Sequence, residues 1–440
     1  MIISMNAILL YLLAFMAFLL PANMVAQQRP NIIYIMTDDM GYGDLSGYGR
    51  KNYTTPNLDK LASQGMKFMN AYAAAPLCTP TRVGFMTGRY PARIPVGLME
   101  PLTGSEDDIN FGLTDQTPSL STLVKKSPYH TALIGKWHLG LQSEHSPNKN
   151  GFDYFFGIRS GSADYFSHKG DGTTHDLWEN DSLIYQQGYL TDIISQKAIS
   201  YISTDHNKPF FLVINFNAPH WPWQGPNDRA YPDSVDYRAG GSADTYAEMM
   251  KSLDDCIGKI IAAVDRYASS NTIVIFTNDN GGERFSDNGG LSKAKGMLWE
   301  GGIRVPAFVR WPGKIAPGTI TNQVTVTMDW TATILDLTGA KPLKQFPLDG
   351  INLMPVLTDK TANIKRTIYW RTFQRTKQKA MRMGDWKYLQ DEKGEYLFNL
   401  SNDQQEKNNL METNAGVFLK LKKQYAAWEK TVLEPLPLTK

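Results

Sequence analysis

Ile32-Ile33-Tyr34-Ile35-Met36, followed directly by Thr37-Asp38-Asp39, sets the reading of the chain. Five apolar residues run without alternation and then give way to two carboxylates. An uninterrupted β-branched and aromatic run suits a strand covered on both faces. Three later segments share the design. Thr131-Ala132-Leu133-Ile134 runs into Gly135-Lys136-Trp137-His138, and Phe210 to Phe216 into Asn217-Ala218-Pro219-His220. Thr272 to Phe276 leads to Thr277-Asn278-Asp279-Asn280-Gly281-Gly282. Helical spacing lies between them, at Asn57–Gly65, Leu190–Ser203 and Tyr246–Tyr267. Strands alternating with helices imply a largely parallel sheet. Such sheets bind ligands beyond the carboxyl ends of their strands. Asp38, Asp39, Lys136, His138, His220, Asp279 and Asn280 are therefore expected on one rim.

The rim chemistry is coherent. Asp38, Asp39, Asp279 and Asn280 offer hard oxygen donors, suited to Ca²⁺ or Mg²⁺ and poor for softer metals. An Asp-Asp pair after a strand is by itself commonly a solvated turn; two such sets behind buried strands favour a metal site. Lys136, Lys295 and Arg82 would offset the remaining negative charge and hold an anion.

At 440 residues there is material for one large core and a smaller appended unit. With 42% hydrophobic and 20% charged residues the chain reads as globular, and a net charge of +2 gives no reason to propose nucleic acid. There is no zinc-type Cys/His cluster and no glycine-rich phosphate loop. Ile8 to Leu20 is an apolar run too short to span a bilayer comfortably, followed by Pro21 and small or polar residues to Ala26. It reads as a signal peptide over 1–26, cleaved near Ala26-Gln27. The region before it lacks Lys and Arg, which keeps an uncleaved anchor as the alternative. Export to the periplasm or medium is expected, with the membrane involved only in that step. The two cysteines are Cys78 and Cys256. Cys256 lies on the apolar face of the Tyr246–Tyr267 pattern and is expected in the core.

Cys78-Thr79-Pro80-Thr81-Arg82, then Thr87-Gly88-Arg89, places a thiol at a helix start, with Arg one turn on. Unpaired N–H groups and the positive dipole end make such a start a natural anion site. A small buried thiol is the plain alternative. This segment resembles the signature of the type I sulfatases. Gly135-Lys136-Trp137-His138-Leu139-Gly140 resembles it too, as does Lys295-Gly296 with Trp299-Glu300-Gly301-Gly302. Asn217-Ala218-Pro219-His220 is a weaker match. Lys293 competes with Lys295, but the family pattern puts Gly directly after the lysine.

The resemblance implies an α/β, alkaline-phosphatase-like sandwich with a large mixed, mostly parallel sheet flanked by helices. The catalytic unit would span 27–358. A C-terminal α+β subdomain with an antiparallel sheet, 359–440, would close the active site. It further implies that a formylglycine-generating maturation enzyme oxidises Cys78 to formylglycine. Ca²⁺, ahead of Mg²⁺, would be held by Asp38, Asp39, Asp279, Asn280 and the group at Cys78. Attack on sulfur with S–O cleavage would leave a sulfated enzyme, from which His138, as base on the second hydroxyl, expels sulfate. His220 would protonate the leaving alcohol, with Lys295 sharing that role. Lys136 and Lys295 would bind sulfate, and Arg82 would fix the diol.

Gly151-Phe152-Asp153-Tyr154-Phe155-Phe156-Gly157, continuing through Ser162 to His168, is similar to arylsulfatase B, the N-acetylgalactosamine-4-sulfatase group. The implied substrate is a sulfated oligo- or polysaccharide. Asp164 and His168 are candidates for substrate contact, with loop-internal hydrogen bonds as the alternative. Trp221 and Trp223 follow His220 and would stack on a sugar or pack a turn. The loop Pro95–Gly112 would wall the pocket, with Glu100, Glu106, Asp107 and Asp108 read as a solvated turn. Thr367–Arg371, Ala380–Leu389 and Tyr396–Leu400 read as antiparallel strands, followed by a packing helix from Leu410 to Trp428. Trp370 and Arg371 are candidates for a second sugar or a uronate carboxylate. The rival functions are a phosphate or phosphonate monoester hydrolase on the same fold and a non-catalytic glycan-binding relative.

Overall fold

The computed structural model describes residues 29–170, 174–232, 235–359 and 363–436; the signal segment expected over 1–26 lies outside them. Ten strands form one sheet. Five of them, Thr272–Asn278, Asn31–Thr37, Phe210–Asn215, His130–Gly135 and Tyr154–Gly157, lie side by side and parallel. The mixed character comes from the flanks. Ala307–Arg310 runs antiparallel to both Thr272–Asn278 and Met66–Tyr72, and Thr319–Val326 pairs with the latter in parallel. The expected mostly parallel sheet is therefore present. The antiparallel flank went unread because its strands are short or alternate with polar residues.

Uninterrupted apolar runs do what their pattern requires. Ile32, Tyr34 and Met36 enter a core on one face of the sheet, while Ile33 and Ile35 enter another on the opposite face. The second core is covered by the helices Leu190–Ser203 and Ala243–Tyr267. There Cys256 is buried, with Sγ 3.2 Å from Asp192 Oδ1. Helix Pro56–Ser63 covers the same face.

The strand register then sets the site. Thr37 pairs with Asn278, Met36 with Asn215, and Asn215 with Gly135, so the carboxyl ends of four strands end level. The residues that follow these ends share one rim. Behind the outer strands, the helix Cys78–Thr87 packs against Thr327–Thr338.

A four-stranded antiparallel sheet, Thr367–Thr372, Gln378–Met383, Trp386–Asp391 and Gly394–Asn399, forms with helix Ala415–Glu429 the C-terminal unit. The run expected as one strand from Ala380 to Leu389 is two, because Gly384 (φ +59°) turns the chain between them. This unit is fastened to the large one through buried groups. Trp370 Nε1 donates to Ala73 O at 2.8 Å, and Leu298 N to Gln378 Oε1 at 2.8 Å. Lys387 Nζ lies 2.9 Å from Glu300 Oε1 and 2.7 Å from Glu406 Oε1.

Candidate active site

Helix Cys78–Thr87 begins at Cys78 itself. Leu77 before it is extended, and no side chain caps the helix start. Gly88, in the left-handed region at φ +65°, ends the helix, a conformation glycine adopts without a Cβ penalty. Cys78 is buried, and its Sγ sits 3.5 Å from Asp38 Oδ1. The potential ligand atoms of Asp38, Asp39, Cys78 and His220 all lie within 4.8 Å of one another.

The surrounding charges interlock. Lys136 Nζ is in direct contact with Asp38 Oδ2, and Lys295 Nζ is 2.6 Å from Asp39 Oδ2. Arg82 Nη2 is 3.1 Å from Asp279 Oδ2 and 3.5 Å from Asp38 Oδ2. Three carboxylates thus face three cations, and the charges cancel. Asp39 N donates to Asp279 Oδ1 at 3.2 Å, and Asn280 Nδ2 to Asp39 Oδ1 at 2.8 Å, so the two acidic loops share hydrogen bonds. Of the two competing lysines, Lys295 enters this cluster, whereas Lys293 lies over the Trp299 ring at 5.9 Å.

Both histidines are oriented by carbonyls. His138 Nε2 is 2.9 Å from Leu102 O, which can only accept a hydrogen bond, so Nε2 carries the hydrogen and buried Nδ1 is left without a partner among the described residues. His220 Nδ1 is 2.6 Å from Trp221 O, which leaves Nε2 facing Asp39 Oδ2 at 3.5 Å. Burial and the charge of Lys136 hold His138 well below the ordinary imidazole range; burial and Lys295 do the same for His220. Burial would lower Lys295, but the charges of Asp39, Cys78 and Asp38 outweigh it and keep the ammonium protonated. Burial pushes the Cys78 thiol far up, despite Lys136 and Lys295.

Cys78, His138, His220 and Lys295 open onto a cleft of about 530 Å³, also lined by Trp221, Arg238 and Arg375. Pro101, Leu102 and Thr103 form one wall, as expected for the 95–112 loop. Its acids are not all solvated, however. Glu100 is buried and accepts from Phe373 N and Gln374 N at 2.9 Å each, and Asp108 Oδ2 accepts from Thr103 N at 2.5 Å. Two backbone donors hold Glu100 in place as a latch to the C-terminal unit.

Four expected substrate contacts are corrected by their surroundings. Asp164 is buried and spends its carboxylate on the N–H groups of Phe166, Ser167 and Tyr231 and on Gln224 Nε2. His168 is buried, with Nε2 3.0 Å from Gly188 O. Tyr231, Gln224 and Gly188 belong to neighbouring segments; the bonds to Phe166 and Ser167 are the loop-internal ones of the alternative reading. Their segment still serves the site, because Tyr165 OH donates to His220 O at 2.9 Å. Arg371 donates to Leu433 O at 2.6 Å and lines a separate cavity beside Trp428. Trp370 is buried, with Nε1 donating to Ala73 O, and borders that separate cavity rather than the cleft at Cys78. Trp221 does reach the cleft, with the Arg238 guanidinium 4.7 Å above its ring. Trp223 packs edge-on against Phe285 instead.

Sequence reading missed Arg238, Arg375 and Gly161. Gly161 permits the close packing at His138, since a Cβ there would come 2.6 Å from His138 Nε2. No motif marks the two arginines; only the folded loops bring them to the cleft.

A family model described as Sulfatase matches residues 30–340, and one described as N-sulphoglucosamine sulphohydrolase, C-terminal, matches 292–430. The chain belongs to the sulfatase family. Its members are sulfuric ester hydrolases. Human N-acetylgalactosamine-6-sulfatase is 33% identical over 368 residues, covering 79% of this chain and 69% of the relative. The rat protein of that name is 33% identical, with 76% and 66% covered. Mouse arylsulfatase J is 34% identical, with 77% and 57% covered. The chain thus spans about two thirds or less of these relatives. Among solved structures, Ps i-CgsB matches with a TM-score of 0.84 and 32% identity, covering 93% of this sulfatase and 95% of that chain. Its complex with k-i-k-neocarrahexaose gives a TM-score of 0.83 at 30% identity, covering 94% and 95%.

Proposed function

We propose that this sulfatase is exported to the periplasm or medium and hydrolyses a sulfate ester of a carbohydrate. In this reading a maturation enzyme converts Cys78 to formylglycine. A hard divalent cation, Ca²⁺ ahead of Mg²⁺, is held by Asp38, Asp39, Asp279, Asn280 and the group at position 78. The observation that carries the reading is the place of Cys78: a helix start, 3.5 Å from Asp38 Oδ1, on the floor of the cleft. As a thiol whose ionisation burial opposes, it has little use there; oxidised, it meets hard donors and cations together.

The residues present fit the cation. The side-chain donors are oxygens, and the buried Oδ1 of Asn280 has no hydrogen-bond partner among the described residues. Bound Ca²⁺ would supply a Lewis acid that lowers a hydroxyl's pKa, and two positive charges beyond the existing balance. Formylglycine would supply the hydrated-aldehyde hydroxyl for S–O cleavage. The protein's own groups supply the rest. Lys136 and Lys295 hold sulfate oxygens, and Arg82 braces Asp279 and Asp38 from below. His138, neutral and with Nδ1 free, takes a proton, while Lys295, which stays protonated, and His220, once Nε2 also carries a proton, serve the leaving alcohol. Relatives named N-acetylgalactosamine-6-sulfatase and a neighbour solved with a hexaose support a sulfated glycan as substrate class.

Turnover of nitrophenyl sulfate and nitrophenyl phosphate, with and without chelator, tests this. The sulfate should be preferred, and activity lost to chelator should return with Ca²⁺. A preference for phosphate, or full activity in chelator, rejects the reading.

A further inference from the structure

The loops Asp38–Asp44 and Asp279–Gly289 carry the four protein oxygen donors proposed for the cation, and they interlace more tightly than strand pairing requires. Gly43 N donates to Asp287 O at 2.7 Å, and Asn280 Nδ2 to Asp39 Oδ1 at 2.8 Å. A Cβ on Gly41 would fall 2.2 Å from Asp287 O, and one on Gly43 2.6 Å from Gly289 N. At the centre is a fully buried carboxylate, Asp44, which lies outside the cleft lining and touches none of the proposed ligands.

Asp44 gathers five donors. Oδ2 accepts from Gly41 N at 2.6 Å and from Tyr246 OH at 2.6 Å. Oδ1 accepts from Asp287 N at 2.9 Å, Arg50 Nη1 at 2.9 Å and Tyr53 OH at 3.2 Å. One of these donors follows Asp38 and Asp39, another follows Asp279 and Asn280, and a third stands on the long helix Ala243–Tyr267. One side chain therefore ties both ligand loops to a rigid element.

We propose that Asp44 is a positioning residue for the cation site, fixing the distance between the Asp38/Asp39 and Asp279/Asn280 loops through its bonds to Gly41, Asp287 and Tyr246. The inference rests on the metal reading above. Residues that brace metal ligands typically control about 10- to 100-fold of metal affinity. An Asn at 44 keeps the shape but presents an N–H₂ to donors, so at least one side of the knot must open.

Calorimetric Ca²⁺ titration of the full chain is the test, on wild type, Asp44→Asn, Tyr246→Phe and Asp254→Asn. Asp254 is a control of the same kind: a buried carboxylate joining two helices by accepting from Asn57 N at 3.1 Å and Leu58 N at 2.8 Å, remote from the ligand loops. Asp44→Asn should weaken Ca²⁺ binding about 10- to 100-fold. Tyr246→Phe, which deletes one donor and decides the matter if Asp44→Asn fails to fold, should weaken it about three- to tenfold. Asp254→Asn should lower Tm and leave affinity unchanged. In Asp44→Asn, lost aryl-sulfate turnover should return at high Ca²⁺ with little change in KM. Wild-type uptake with unchanged affinity in both the Asp44 and Tyr246 variants overturns this inference alone. No uptake by wild type removes the metal reading and this inference together.

Discussion

His220→Ala should separate substrates by their leaving groups. The ring is buried, anchored at Nδ1 by Trp221 O at 2.6 Å, and backed by Tyr165 OH on its carbonyl. Its Nε2 is therefore held toward the cluster in one orientation, 3.5 Å from Asp39 Oδ2, and faces the cleft that a leaving alcohol must leave through. A positioned acid contributes about 10²–10⁴-fold, or roughly 2.7–5.4 kcal/mol of barrier at about 1.36 kcal/mol per decade. A sugar alkoxide needs that proton; nitrophenolate leaves without it. kcat/KM on a sulfated oligosaccharide should fall about 100-fold or more, while nitrophenyl sulfate should lose less than about tenfold. Side by side, the ratio of the two losses is the readout, because a merely displaced loop would damage both. Equal losses on the two substrates refute the assignment of His220 as acid.

Arg238→Ala should raise KM for a sulfated oligosaccharide and leave nitrophenyl sulfate nearly unchanged, since its guanidinium is seated on Trp221 at the cleft wall and pairs with none of the cluster's carboxylates; initial rates on both substrates decide it. The buried knot behind Glu300 should make stability depend on pH in two windows. Burial opposes Glu300 ionisation, but Lys387, Arg304 and Arg382 hold it down to about 2, so it contributes stability above about pH 4.5 that is lost as pH falls toward 2. Glu406 goes the other way. Burial, aided by the Glu300 charge and opposed by Lys387, pushes it up to about 7; its contribution is complete below about pH 4.5 and is lost as pH rises through 7. Calorimetry of Glu406→Gln should show a smaller fall in Tm between pH 5 and 8 than wild type, and an unchanged slope would contradict this.

The centre of the fold was legible because its strands are buried on both faces, which writes Ile32–Met36 and Phe210–Phe216 as runs no other element explains. Register did the rest. Once parallel strands end level, the residues after them must meet, and Asp38, Lys136, His220 and Asp279 are that set. Short antiparallel elements carry no such mark, so the turn at Gly384 was hidden inside a stretch that reads as one strand. Buried polar residues misled for a related reason. Asp164, His168 and Glu100 look like surface or ligand groups by type, yet each is held by backbone partners that only the folded loops supply. Arg238 and Arg375 reach the cleft from loops far apart in sequence, a placement that no spacing encodes.

Position 78 offers the most direct measurement. Protein produced together with a formylglycine-generating enzyme should be digested, and the peptide spanning Cys78 weighed, alongside aryl-sulfate turnover of the same preparations and of Cys78→Ala. The account predicts that activity rises in proportion to the aldehyde form of that peptide and vanishes in Cys78→Ala. Full turnover from a preparation whose peptide is entirely thiol, or from Cys78→Ala, would contradict it.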